Sequence, residues 1–166
     1  MKHTHSDALE RFILENKASL YRLAYSYLRD EQRAMDVVSE AIVTAYEKVA
    51  GLKNPDGLNT WFRRILVHKC VDELRHKKRI IPMEDAAFAD LPDETPEPDF
   101  LGEVLYQAVG KLPEKNRTVI MMKYFEDLTF EQIAEITGQN VNTVKSRLYQ
   151  GLEKLRKLPA LKGAFA

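Results

Sequence analysis

Apolar residues recur at helical spacing along most of this chain. The stretch from about Glu31 to Val49 shows the pattern best, with apolar side chains at i, i+3 and i+4 positions. An amphipathic helix that packs one face against a core has this periodicity. Weaker versions predict helices over about 7–28 and about 58–78, before and after a loop that contains Asn54-Pro55. Because almost no stretch alternates with a period of two, the sequence predicts an all-α fold.

Residues 80–99 interrupt the helical pattern. This stretch contains four prolines among acidic residues and alanines, a composition typical of an extended, flexible linker. Helical patterns return over about 100–112 and, after Pro113, to about residue 124. The sequence therefore predicts two small helical domains, residues 1–79 and 100–166, joined by an acidic proline-rich linker at 80–99.

Residues 129–157 predict two helices joined by a tight turn. Thr129 and Gln132 have the spacing of a capping box, Gly138 supplies a turn residue, and Asn140 can cap the second helix. The apolar positions of that second helix face inward, which leaves a polar and cationic face outward. That outward face contains Asn142, Thr143, Lys145, Ser146, Tyr149 and Gln150. This is the layout of a helix-turn-helix whose second helix enters the major groove.

A helical hairpin of any function has one polar face, so periodicity alone does not establish DNA binding. The composition of this face favours it, because a cation, a hydroxyl, a phenol and an amide stand together without the Glu/Lys pairs of a merely solvated helix. The charge distribution agrees. Residues 1–79 and 109–166 each have a net charge of +4, while residues 80–108 have eight acidic and no basic side chains. A net charge of zero thus hides two basic units.

The third helix interleaves aromatic and cationic residues. Its candidate binding residues are Trp61, Arg64, His68, Lys69 and Arg75. Cations can contact phosphates while aromatic rings stack on unpaired bases, so this pattern suits a single-strand binding surface. The alternatives are that the tryptophan and the histidine are core residues and that the basic run 76–79 is a solvated helix end.

No catalytic or cofactor site is predicted. Asp36 and Glu40 share a helix face, but nothing supplies a nucleophile or a third group; a solvated stripe or a docking surface for a basic protein are the other interpretations. The four histidines lack metal-ligand spacing, and no glycine-rich phosphate loop is present. Cys70 lies in an apolar pattern as a small core residue. Since no signal peptide or apolar run of ~20 residues is visible, we expect a soluble, cytoplasmic, non-enzymatic protein.

Four segments together resemble the extracytoplasmic-function (ECF) sigma factors of bacterial RNA polymerase, over about residues 9–156, and most closely the envelope-stress members of Gram-positive bacteria. In chain order they read AMDVVSEAIVTAYEKV, TWFRRILVHKCVDELRHKKR, LPEKNRTVIMMKYFEDLTFEQIAEITG and NTVKSRLYQGLEKLR. The resemblance implies a first domain, region 2, that docks on the β′ clamp of core RNA polymerase through Asp36, Val37 and Glu40. It also implies that the third helix opens the −10 promoter element.

For the second domain, region 4, the resemblance implies recognition of the −35 element through Lys145, Ser146, Tyr149 and Gln150, and contact with the β flap. Further implied partners are promoter DNA and an anti-sigma factor, often membrane-anchored. Three positions depart from the family pattern: Ser39 replaces a usual Gln, His68 a usual Asn, and Gln150 a common Arg. The rival interpretation is a conventional helix-turn-helix regulator that binds duplex DNA alone.

Overall fold

The computed structural model describes residues 2–80 and 100–158 and, within them, the side chains of residues 5–76 and 104–158. Seven α-helices lie in this part of the chain, which contains no β-strand. They are α1 Lys2–Leu28, α2 Glu31–Lys48, α3 Leu58–Ile80, α4 Phe100–Gly110, α5 Glu114–Ile120, α6 Phe130–Thr137 and α7 Val141–Arg156. The all-α prediction is confirmed, whereas the predicted linker lies almost wholly outside the described residues.

Helices α1, α2 and α3 pack on one another as the N-terminal domain. Their apolar faces meet in a core where Phe12 and Phe62 pack with ring centroids 5.5 Å apart. Asp30 caps α2 by accepting from the Arg33 backbone N–H at 3.0 Å. Arg33 then pairs with the Glu73 carboxylate at 2.6 Å and also donates to the Glu73 carbonyl. These bonds fix α3 against α2 and hold the cationic helix in place.

Helices α4 to α7 form the C-terminal domain. The predicted fifth helix is shorter than its sequence pattern suggests, because α5 ends at Ile120 and one π-helical turn, Met121–Phe125, follows. Its wider spacing is visible in the bond from the Glu126 N–H to the Met121 carbonyl, 3.0 Å long. A π turn inside a helical pattern redirects the residues that follow it, and here it brings Glu126 against the N-terminal domain.

The two domains are packed together rather than separate. Helix α1 packs on α5, and α3 packs on α6. The buried apolar residues of both domains form one continuous core. Cys70, as predicted, is a buried core residue of α3, and burial raises the pKa of its thiol well above the ordinary value. The periodicity of each domain did not reveal this interface.

Candidate nucleic-acid interface

The helix-turn-helix has the local geometry that the sequence predicts. Thr129 and Gln132 form both bonds of a capping box, at 2.9 and 3.1 Å. Gly138 adopts a left-handed conformation with φ of 74°. The Asn140 side chain accepts from the Thr143 backbone N–H at 2.8 Å and so caps α7. Side-chain caps and a left-handed glycine thus define where the first helix ends and the second begins.

The outward face of α7 is the predicted one. Thr143 is half-buried, and the remaining predicted residues are exposed: Asn142, Lys145, Ser146, Tyr149 and Gln150. Tyr149 is 59% exposed, which is unusual for a large ring and typical of a surface that binds a partner. The face can present amide, hydroxyl, phenol and ammonium groups to base edges.

Helix α7 rests on α5 through a close approach at Gly151. A Cβ atom there would lie 2.6 Å from Ile120 Cδ1 and 3.1 Å from Asn116 Cβ, so a side chain would push the helices apart. The Asn116 amide donates to the Arg147 carbonyl at 2.9 Å, and its oxygen accepts from Lys154 at 3.1 Å. These contacts hold the back of the recognition helix, but its helical pattern alone did not indicate them.

An aromatic ring on α6 holds two lysines near the recognition face. The Nζ atom of Lys145 lies 5.5 Å from the centre of the Phe130 ring, and that of Lys123 lies 4.9 Å from it. Cation–π contacts at this range restrict a flexible lysine without neutralising it. Phe130 was not predicted as a functional residue. The only signal for it is its place at the first position of α6, directly after the N-cap Thr129.

A polar groove borders the N-terminus of α7. Its lining includes four of the predicted residues and adds Lys115, Asn140 and Arg147. Lysine and arginine beside amides and hydroxyls are the groups that contact phosphate oxygens and position a protein on duplex DNA. Sequence reasoning missed Lys115 because it lies on α5, well before α7 begins at Val141.

The third helix presents the second predicted surface. Arg64, His68 and Arg75 are exposed, and Trp61 and Lys69 are half-buried. Because His68 is exposed, its interpretation as a core histidine is wrong. Arg63, which the sequence counts among the cations of this helix, points the other way and is 3% exposed. Helix α3 thus has one buried face, which contains Arg63, and one solvent-facing side, which contains aromatic and basic groups.

Helix α2 carries the predicted polymerase-docking residues. Asp36 and Glu40 are exposed, one turn apart. Val37 is 3% exposed, since it shares the inward face of the helix, and its assignment to a docking surface is corrected here. Two unpredicted apolar residues, Met35 and Val43, are 55% and 58% exposed beside the acidic pair. An apolar stripe next to carboxylates suits a partner with a basic, partly apolar surface.

Among the described residues, no group of three or more His, Cys, Asp or Glu side chains is arranged to hold a metal ion. The described helices include none that is long and apolar enough to cross a membrane.

Comparison with known families explains why these surfaces occur in one chain. Residues 12–80 match the family model described as Sigma-70 region 2, and residues 102–155 match the one described as Sigma-70, region 4. The chain belongs to the sigma-70 family. It is 39% identical to RNA polymerase sigma factor SigV of Bacillus subtilis, over 93% of each chain. It is 31% identical to ECF RNA polymerase sigma factor SigW of the same organism, over 95% of this chain and 91% of that one.

Two solved structures share the fold. The sigma factor RpoE, in complex with the anti-sigma factor NepR from Bartonella quintana, matches with a TM-score of 0.73 at 22% identity over 93% of this chain and 96% of that one. CnrH, in complex with the cytosolic domain of CnrY, matches with a TM-score of 0.67 at 20% identity over 98% of each chain. The sequence-based assignment to the ECF sigma factors is confirmed. The protein is an ECF sigma factor, and such factors act in transcription initiation.

Proposed function

We propose that this sigma factor divides promoter recognition between its two exposed helices, with α7 reading the −35 element and α3 holding the opened −10 strand. The observation that carries the proposal is the presence of both surfaces in one chain. A duplex reader needs a recognition helix, but it has no use for an exposed aromatic and cationic helix. The protein lends promoter specificity to core RNA polymerase and has no reaction of its own.

Helix α7 supports the first assignment through the chemistry of its exposed face. Lys145 and Tyr149 lie one turn apart, and Ser146 and Gln150 repeat that spacing beside them. Lysine donates to guanine O6 and N7, and the amide of glutamine can pair with adenine N6 and N7. The groove that contains Lys115 then contacts the phosphate backbone and fixes the register of the protein on the duplex.

Helix α3 supports the second assignment. Arg64 and His68 are one turn apart, and Trp61 lies two turns before His68 on the same side. Guanidinium, imidazole and indole groups can each stack on an extruded base, and base–aromatic stacking is worth about 1–3 kcal/mol per base. The exposed imidazole, where relatives usually have an amide, indicates a −10 pocket that relies more on stacking.

Helix α2 supplies the contact with core polymerase. We infer that Asp36 and Glu40 meet basic groups of the β′ clamp, while Met35 and Val43 bury apolar area beside them. Ser39, which replaces the family's usual glutamine, lies between those two apolar residues on the same face. The C-terminal domain is expected to contact the β flap.

An anti-sigma factor is the remaining expected partner, and an envelope-stress regulon is the expected output. Of the solved structures that share the fold, the sigma factor RpoE was captured with the anti-sigma factor NepR, and CnrH with the cytosolic domain of CnrY.

Run-off transcription with core polymerase on a promoter library tests the proposal. We expect transcripts only when the sigma factor and core polymerase are both present, from templates that share a −35 and a −10 sequence. Scrambling either element alone should abolish the transcript. A transcript that survives scrambling of the −35 element, or a chain that binds its operator tightly and never stimulates core polymerase, would reject the proposal.

A further inference from the structure

Phe130 provides a fixed aromatic ring at the start of α6. It is the first residue of that helix, and the two bonds of the Thr129–Gln132 capping box hold the backbone that carries it. The ring is half-buried and packs against the apolar core. Because a phenylalanine has fewer rotatable bonds than a lysine, this packing leaves the ring little freedom. Its position is therefore set by the fold of the chain, before any DNA is bound.

Two lysines from different elements share this ring. The Nζ atom of Lys123, in the π turn, lies 4.9 Å from the ring centre, and that of Lys145, on α7, lies 5.5 Å from it. Both distances are within the range of about 6 Å over which the face of a ring attracts a cation. The two ammonium groups repel each other, which opposes a closer approach of Lys145. Phe130 therefore directs Lys145 without enclosing it, and the lysine stays exposed.

Lys145 differs from the cations near the C-terminus of α7 in what holds it. Lys154 donates to the Asn116 side chain at 3.1 Å, and Arg156 lies 3.7 Å from the Glu153 carboxylate. The ion pairs within the described parts of the chain do not include Lys145. A carboxylate would oppose the positive charge of a lysine and compete with a DNA group for its donors. A ring leaves that charge and those donors available to DNA.

A restrained lysine binds a specific partner at a lower entropic cost than a free one. A lysine has many rotamers, and ordering such a side chain at an interface opposes binding. The Phe130 ring reduces the number of conformations that Lys145 samples in the free chain, so less order is lost on binding. A diffuse phosphate contact tolerates many lysine conformations, whereas a base edge requires one. The ring should therefore raise discrimination between promoters more than general affinity for DNA.

We propose that Phe130 is a positioning residue for −35 recognition, and that its ring holds Lys145 in the conformation in which this lysine meets a base edge. Phe130 acts through Lys145 and needs no base contact of its own. The inference rests on the proposed function, since it requires that α7 reads the −35 element. It adds a residue of α6, the first helix of the helix-turn-helix, to the residues that determine promoter choice.

Equilibrium binding of holoenzymes with Phe130→Leu and Phe130→Tyr tests the proposal, on a cognate promoter and on one with a scrambled −35 element. Leucine keeps an apolar side chain but has no aromatic face, whereas tyrosine keeps the face. We expect Phe130→Leu to lower the ratio of cognate to scrambled affinity by about two- to fivefold, the effect of losing one exposed cation–π contact. Phe130→Tyr should keep the wild-type ratio. If Phe130→Leu weakens binding to both templates equally, the residue is merely structural and the proposal is wrong.

Phe125→Leu is the matched control. Phe125 is another half-buried ring of the same domain and packs on the Tyr106 ring with centroids 5.6 Å apart. The cation–π contacts of the described residues do not include it, so its loss should leave the affinity ratio unchanged. In a Lys145→Ala background, Phe130→Leu should lower the ratio no further, because the side chain that it positions is absent. A further loss as large as in the wild-type background would overturn the proposal.

NMR spectroscopy of the free wild-type chain tests the contact without any variant. The ring current of Phe130 should shift the ε-methylene protons of Lys145 upfield, relative to those of the exposed Lys48. An unshifted Lys145 would overturn the proposal whether or not Phe130→Leu folds. If Lys145→Ala lowers the affinity ratio and Phe130→Leu does not, the positioning role alone is rejected. If Lys145→Ala leaves the ratio unchanged, the proposed reading of the −35 element by this lysine fails, and the role of Phe130 fails with it.

Discussion

Replacing Lys145 by alanine separates base recognition from the general effect of a lost charge. Lys145 is exposed on α7, and its ammonium lies 5.5 Å from the centre of the Phe130 ring. Lys123 lies 4.9 Å from the centre of the same ring but belongs to the π turn rather than to the recognition helix. The two alanine variants therefore lose the same charge and the same kind of contact, and differ in the face from which the lysine is lost.

The expected magnitudes follow from these contacts. A lysine that donates to a base edge contributes about 1–3 kcal/mol of discrimination, whereas an exposed cation–π contact is worth about 0.5–1 kcal/mol. Lys145→Ala should weaken holoenzyme binding to the cognate promoter by about 1–3 kcal/mol, or roughly 5- to 150-fold. Lys123→Ala should cost at most about 1 kcal/mol. Lys145→Ala should not lower the melting temperature noticeably, because exposed substitutions usually have small effects on stability.

The assay is equilibrium binding of each holoenzyme to the cognate promoter and to one with a scrambled −35 element. Lys145→Ala should lose its effect on the scrambled template, since the base contact is already absent there. Equal losses on both templates would show that Lys145 contacts phosphate only. A large fall in melting temperature would show that the α7 face is misassigned.

Three further predictions concern other parts of the molecule. His68→Ala should slow open-complex formation, with a loss of about 1–3 kcal/mol per stacked base, measured by permanganate reactivity of −10 thymines; normal reactivity would leave the melting role to its neighbours on α3. Gly138→Ala should destabilise the fold by about 1–2 kcal/mol in thermal melting, because φ is +74° although space is open around the position. Gly51→Ala, equally open and without positive φ, should cost nothing, and equal costs would refute the backbone explanation. Glu40→Lys should weaken core-polymerase binding by about 1–2 kcal/mol in a titration where Glu15→Lys on α1 does not; equal effects would point to net charge instead of a docking site.

Features set by neighbouring residues could be predicted from the sequence. The capping box at Thr129, the turn at Gly138 and the cap at Asn140 each depend on side chains within four positions, so their spacing is sufficient evidence. The exposed face of α7 follows from the same helical period. His68 is different, because its neighbours fit both a surface and a core position, and only packing decides between them.

Features that join distant parts of the chain could not be predicted in this way. Glu126 meets Ser19 across 107 positions, and Arg117 meets Ser26 across 91. Arg63 and Arg64 are adjacent cations of one helix, yet the first is buried beside Ser19 and Glu126 and the second faces solvent. Val37 shows a different kind of error. The helical period places it in the core, whereas the family resemblance assigned it to a docking surface. The structure agrees with the periodicity.

The most direct test of the two-surface account is the binding of a promoter duplex by the free chain, compared with its binding in the presence of core polymerase. With a net charge of zero, the free chain should bind duplex DNA weakly and without a specific footprint. Core polymerase should produce tight binding, protection of both the −35 and −10 elements, and permanganate-reactive thymines in the −10 region. A specific nanomolar footprint by the free chain that core polymerase neither extends nor strengthens would contradict the account.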